Sequence, residues 1–221
     1  MKNYKVWVGE GGDKSTDTTK HASSGKNSFF DDKVAIGGGG GGSTRDSSAV
    51  PSGGSGGAAG SDVSPNTGGS GTTGQGHKGG NNATGHSGAG GGGASEAGED
   101  APSSNTTSGA GGDGLAYSIT GSSVTYAGGG GAGGKGDHGS AGTAGLGGGG
   151  GGGGKTGSTS KNGGHGGTGV VIVAYKGPQR GTGGTVSTTA RPGYTTHTFV
   201  GYPKDGGSGS GMETSAHLFV A

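Results

Sequence analysis

One short stretch has the residue types and spacing of a phosphate-binding loop. The sequence GGGGGGKT, from Gly149 to Thr156, matches the pattern G-x-x-x-x-G-K-[ST]. In such a loop the backbone N–H groups and the lysine hold phosphates, but a buried strand must precede it and a helix must follow it. Here the sequence on both sides is polar and rich in glycine. Any glycine run before Lys-Thr matches by chance, so we predict that Lys155 and Thr156 bind no nucleotide and that there is no cofactor.

Histidine and serine are the other residues that could do chemistry. The seven histidines are spread singly, without the spacing of metal ligands on one element, so we predict no metal site. His197 and His217 lie in the similar phrases THTFV and AHLFV, and we expect them to be cross-strand neighbours in one small sheet. The nucleophile pattern G-x-S-x-G occurs only in GGSGG, which follows no strand. We therefore predict no catalytic residues and expect that the protein is not an enzyme.

The composition excludes several classes of function. Of the 221 residues, 68 are glycine and only 23% are hydrophobic, so a side-chain core of ordinary size cannot form. The net charge of +1 gives no electrostatic reason to bind nucleic acid. No apolar run approaches the roughly 18 residues of a membrane-spanning helix, so we expect no membrane insertion. The sequence contains no cysteine, which excludes disulfides and thiolate chemistry.

Contiguous glycine runs dominate the middle of the chain. This composition is typical of disordered spacers, but we predict an ordered state. Glycine costs about 1 kcal/mol per residue in a helix, it weakens strands, and collagen needs glycine at every third position. What remains is polyglycine II, an extended left-handed helix with three residues per turn. In a bundle of such helices, a residue without Cβ can face a neighbour on every side. The longest runs are Gly37–Gly42, Gly90–Gly93, Gly128–Gly131 and Gly147–Gly154.

Segments rich in β-branched and aromatic residues interrupt the glycine runs, and such segments favour strands. No segment keeps a helical apolar period beyond two turns, so we expect almost no α-helix. The segment Tyr117–Ala127 is predicted to be a hairpin with Gly121 in its turn. The other predicted strands are Tyr4–Val8, Lys33–Ile36, Gly169–Tyr175, Tyr194–Val200 and Ala216–Ala221.

These patterns predict one glycine-rich domain over residues 1–221. Its fold class is mostly β or other: a sandwich-like polyglycine II bundle flanked by short strands and hairpins. We expect N-terminal strands and a loop in 1–36, the bundle in 37–169 with its internal hairpin at 117–127, and C-terminal strands in 170–221.

The order of these segments resembles the glycine-rich domains of bacteriophage tail-fibre and other virion proteins. The most specific segments are YSITGSSVTYAGGGG, from Tyr117, and GGTGVVIV, from Gly166, within a likeness that extends from about Val34 to Val200. The resemblance implies a polyglycine II adhesin whose variable loops contact a bacterial surface protein or glycan. Such adhesins usually carry a separate attachment domain, and we find none in this sequence, which favours a self-assembling role.

The expected function is therefore that of a non-enzymatic structural and adhesive protein of a virion fibre, which forms homo-oligomers. The N-terminal sequence lacks the apolar stretch of a secretory signal, and release by lysis agrees with a virion or extracellular location. The alternative is a subunit of a self-assembling extracellular filament. Ice binding is a distant third, because no regular threonine ladder supports it.

Two sets of residues are predicted to make contacts. The aromatic residues Phe29, Phe30 and Tyr202 either contact a receptor or pack on the strands or on a neighbouring subunit. The terminal strands are expected to have no partner within the chain and to pair with the next copy, since unpaired edges are adhesive. Their candidate assembly residues are Tyr4, Val6, Trp7, Val8, Leu218, Phe219 and Val220.

Overall fold

The computed structural model describes residues 2–61, 67–82, 86–102, 107–143, 146–201 and 214–220. This part of the chain contains strands and no helix, and therefore no helix that could cross a membrane. The strands are β1 (Lys2–Val8), β2 (Ser28–Phe30), β3 (Lys33–Ala35), β4 (Leu115–Tyr117), β5 (Val124–Tyr126), β6 (Lys155–Thr156), β7 (Thr159–Ser160), β8 (Val170–Lys176), β9 (Gly181–Thr182), β10 (Thr185–Ser187), β11 (Tyr194–Val200) and β12 (Thr214–Val220). The mostly β class predicted from the sequence is confirmed.

The strands form two larger sheets and two hairpins. The first sheet has the order β3-β2-β1-β12-β9, and the second has the order β10-β11-β8. The hairpin β4–β5 contains Gly121 in its turn, with a φ of 101° that only glycine adopts readily. The pair β6–β7 forms the second hairpin. All the strands predicted from the sequence are present, while β2, β6, β7, β9 and β10 were not predicted.

A small side-chain core lies where the two larger sheets pack together. Its buried residues are Val6, Val8, Phe199 and Leu218, with Tyr4, Phe30, Val171 and Val173 packed around them. Alternation along each strand explains this set, because every second residue of a strand points to the same face.

The two terminal strands are partners of one another. β1 and β12 pair antiparallel along their whole length, from Lys2 opposite Val220 to Val8 opposite Thr214. The prediction that these strands lack a partner within the chain is therefore wrong. Each strand supplies hydrogen-bond partners to the backbone of the other. The second sheet covers Val6, Val8 and Leu218.

The two histidines predicted to be neighbours lie in different sheets. His197 is on β11, opposite Val173 of β8, whereas His217 is on β12, opposite Lys5 of β1. The prediction of a shared sheet is therefore wrong.

The glycine segments are joined by hydrogen bonds that repeat every three residues. In segment 88–93, successive amide groups donate to three different neighbouring segments, and each neighbour is reached again three residues later. Gly88 and Gly91 donate to Gly133 and Gly130, Ala89 and Gly92 to Ala59 and Gly56, and Gly90 and Gly93 to Glu99 and Glu96. A β-strand alternates with a period of two, so this segment is not a strand of a sheet.

The longest glycine run has the same pattern. The carbonyls of Gly148, Gly151 and Gly154 accept from Gly167, Gly164 and Lys161 in turn. The amides of Gly151 and Gly154 donate to a different segment, at Ser140 and Asp137. A run with a three-residue repeat and several neighbours leaves little space for side chains. Most glycines here face a backbone carbonyl where their Cβ would be, such as Gly164 O beside Gly150.

Candidate contact surface

An apolar row crosses the outer face of the first sheet. Phe29 of β2 lies between Trp7 of β1 and Val34 of β3, because each pair is directly opposite in the antiparallel register. Phe29 is 40% exposed and Val34 is 44% exposed, while Trp7 is partly buried. We call these three residues the apolar row. Contiguous apolar surface of this kind is a candidate for contact with another molecule.

The two phenylalanines predicted as contact residues point to opposite faces. Phe30 lies opposite Val6 on the core side of the sheet, and its ring stacks on Tyr4 with 5.4 Å between the ring centroids. Phe30 therefore packs on the strands, whereas Phe29 is free to contact a partner. Tyr202, the third predicted residue, lies outside the described residues.

The turn that joins β2 to β3 carries charge beside the apolar row. The Lys33 ammonium donates a hydrogen bond of 2.7 Å to the Asp32 carboxylate. This bond, with the attraction between the two charges, holds the pKa of the Asp32 carboxyl below its ordinary value. Both side chains are well exposed, so salt screens the pair and it contributes little to stability.

Among the predicted assembly residues, the structure distinguishes inner from outer positions. Tyr4, Val6, Val8 and Leu218 belong to the core between the sheets, and Trp7 lies on the outer face. For Phe219 and Val220 the backbone register is described, opposite Asn3 and Lys2. Val6, Val8 and Leu218 are almost fully buried, so they cannot contact another copy without unfolding of the sheet pair.

An open cleft of about 470 Å³ lies beside the end of β3. Its walls come from the β4–β5 hairpin, from β8, and from the glycine segments around Gly38 and Gly54. Its large side chains are Ile36, Tyr117, Ile119, Tyr126, Val170 and Ile172, and Glu10 and Lys26 add charge. No motif of the sequence predicts this cleft. The alternation in β4 and β5 predicts that Tyr117 and Tyr126 share one face of the hairpin. It does not predict that this face lies opposite β8.

The single histidines have ordinary structural partners. His197 is fully buried, and its ring nitrogens lie 2.8 Å from the Gly183 carbonyl and 3.2 Å from the Tyr175 hydroxyl. His21 lies beside Asp46, with 3.6 Å between Nδ1 and the carboxylate. Within the described ranges, no three histidine or acidic side chains are grouped as a metal site requires.

The phosphate-loop pattern ends on a short strand and does not lead into a helix. Lys155 and Thr156 form β6, which pairs with β7, and the Lys155 amide donates to the His86 carbonyl. We expect no heat above dilution when ATP and Mg²⁺ are titrated into the protein in a calorimeter. The reason is that the helix N-terminus that would hold the phosphates is replaced by a hairpin. A micromolar dissociation constant would contradict this prediction.

Comparison with known proteins gives one match. The sequence model of a family described as the glycine-rich domain matches residues 1–176, from β1 to the end of β8. Neither the curated proteins nor the solved structures contain a match to the chain. The matched residues include the three-residue hydrogen-bond repeat and the β4–β5 hairpin. The chain therefore belongs to the glycine-rich domain family.

Proposed function

We propose that this is a non-enzymatic structural and adhesive protein of the phage-fibre type. It forms part of a virion fibre and contacts a protein or glycan of a bacterial surface, and it acts in the virion or outside the cell. The observation that supports this best is a glycine scaffold hydrogen-bonded in three directions that leaves the apolar row exposed at its margin.

The scaffold of the proposal is a bundle of polyglycine II helices. The three-residue return of the hydrogen bonds in segments 88–93 and 148–154 supports this assignment, since that helix has three residues per turn. The glycines of these two segments also have φ outside the left-handed region. Because the backbone itself fills the interior, the bundle holds its shape without a large side-chain core.

The apolar row is the proposed contact surface. Phe29 and Val34 are exposed and lie side by side, and aromatic residues at the centre of an interface often contribute most to binding. The neighbouring Asp32 and Lys33 supply hydrogen-bonding groups at its rim. An aromatic and aliphatic surface with a polar rim suits a surface protein or the apolar face of a sugar ring.

The adhesive role is tested by the double variant Phe29→Ser/Val34→Ser. We expect adsorption to a panel of bacterial strains to fall at least about tenfold, because an interface hot spot is worth about 2 kcal/mol or more. Fluorescently labelled protein measures the adsorption. The matched control is Val200→Ser, on β11, which is equally exposed. Equal adsorption by all three proteins would overturn the role of the row, and no adsorption by the wild type would overturn the adhesive function.

The alternative function is a subunit of a self-assembling filament, and the edge of β3 favours it. All three residues of β3 are exposed, and among the described strands β3 pairs only with β2. The Gln75 side chain covers part of this edge: Ile36 N donates to its Oε1 at 2.7 Å, and its Nε2 donates to the Val34 carbonyl at 3.4 Å. Light scattering separates the two functions, since a discrete oligomer supports the fibre protein and open-ended polymers support the filament.

A further inference from the structure

The cleft beside β3 has the size and lining of a small-molecule site. Sites for small ligands usually have volumes of about 300 to 1,000 Å³ and mostly apolar walls with a few polar groups. This cleft measures about 470 Å³, and its walls are aliphatic and aromatic. It lies on the side of the first sheet opposite to the apolar row, since Ser28 and Ala35 line it while Phe29 and Val34 point away. The apolar row cannot therefore account for it.

One polar group of the cleft wall is left unsatisfied. Glu10 lines the cleft, and its Oε1 atom is buried without a hydrogen-bond partner. No ion pair within 4.0 Å involves this carboxylate among the described residues, although Lys26 lines the same cleft. A covered carboxylate oxygen without a partner lowers stability. A ligand that brings a hydrogen-bond donor into the cleft would supply the partner that this carboxylate lacks within the chain.

We propose that this cleft binds a small organic cation, a primary ammonium group on an aromatic body. The ammonium donates to the Glu10 carboxylate, and the body lies against Tyr117, Tyr126 and Ile172. Oε1 is covered in the free protein, so the glutamate side chain changes its rotamer on binding and turns its carboxylate into the cleft. The tyrosine faces add attraction for the cation.

The glycine bundle contributes space at the cleft floor. At Gly38 an added Cβ would have only the Ser55 carbonyl oxygen within 4 Å, at 3.8 Å, and at Gly149 the nearest atom is also 3.8 Å away. These two positions differ from most glycines of the bundle, whose Cβ site is filled by a carbonyl of the next segment. The cleft wall therefore has room for a methyl group at these two positions, whereas most glycines of the bundle have none to spare.

The test compares three ligands of the same shape: phenethylamine, phenethyl alcohol and phenylpropanoate. Amide shifts of isotope-labelled protein at neutral pH report both the affinity and the place of binding. We expect the amine to shift the amides of Gly38 and Ile172 and to bind at least about tenfold tighter than the alcohol, which is the effect of one charge-assisted hydrogen bond. Equal binding of all three ligands, or shifts only outside the cleft, would refute the proposal.

Two variants and a control complete the experiment. Glu10→Gln should remove the preference for the amine over the alcohol, and it should melt no lower than the wild type because it relieves an unpartnered carboxylate. Tyr117→Ala should weaken all three ligands, and the amine most, because the ring also attracts the cation. The fold should tolerate this change because the side chain is 54% exposed. The control is Asp32→Asn, which changes an exposed carboxylate outside the cleft and should leave amine binding unchanged. An amine preference that survives Glu10→Gln would overturn the proposal.

Discussion

Gly150→Ala should lower the free energy of unfolding by about 3 kcal/mol or more, the upper part of the range for overpacked sites. A Cβ at this position would overlap the carbonyl oxygen of Gly164, which belongs to the backbone of the neighbouring segment. A flexible side chain could move aside, but this segment is hydrogen-bonded to the same glycine run through the Gly164 amide. The strain therefore spreads to both segments. Thermal and urea unfolding, followed by calorimetry and circular dichroism, measure the loss.

The adjacent residue provides a matched control. At Gly149 the nearest atom to an added Cβ is the Gly129 Cα at 3.8 Å, which is ordinary van der Waals contact. We expect Gly149→Ala to change stability little or to raise it by up to about 1 kcal/mol, because alanine has less freedom to lose on folding. Equal melting temperatures for the two variants would mean that the run behaves as a flexible spacer, and the bundle would be wrong for this segment.

Leu218→Ala should cost about 2 to 5 kcal/mol of stability, the range for truncating a buried leucine. Leu218 is 1% exposed and packs with Val6, Val8 and Phe199 between the two larger sheets. The neighbouring core residues are held on paired strands, so they can fill the cavity only in part. The loss should appear in calorimetry as a large fall in the melting temperature, because β12 joins β1 to β9 in the first sheet.

The exposed strand residue Val34 is the control for this prediction. Val34→Ala removes aliphatic carbon from a side chain that is 44% exposed, and we expect a change of about 0.5 kcal/mol or less. If Leu218→Ala were as mild as Val34→Ala, the pairing of the terminal strands would not hold the sheets together. The terminal strands would then be free to assemble with another copy.

Local sequence determined the longer strands and, in the part of the chain that the structure describes, the absence of helix. The run from Val170 to Lys176 is rich in β-branched and apolar residues, and such a run favours a strand whichever strand it pairs with. The turn at Gly121 needs a positive φ, so glycine between two alternating segments predicts a hairpin without knowledge of the rest of the chain. The long glycine runs exclude helix for an equally local reason, the loss of backbone entropy.

The partners of these segments depended on the tertiary structure. The pairing of β1 with β12 joins the two terminal segments, and the sequence of neither segment predicts the other as its partner. Phe29 and Phe30 are adjacent and chemically identical, yet the pairing with β1 places one outside and the other on Tyr4. The two-residue strands such as β9 exist only because a neighbouring strand supplies their hydrogen bonds.

The cleft and the arrangement of the glycine segments were decided in the same way. Each glycine offers the same N–H, carbonyl and absent Cβ, so the sequence can predict that the runs pack but cannot distinguish one neighbour from another. The three-residue hydrogen-bond repeat places the Gly164 carbonyl against Gly150. The same repeat leaves room for a methyl group at Gly149. The physical reason is that conformational preference belongs to single residues and short segments, whereas register, burial and cavities belong to pairs of segments distant in sequence.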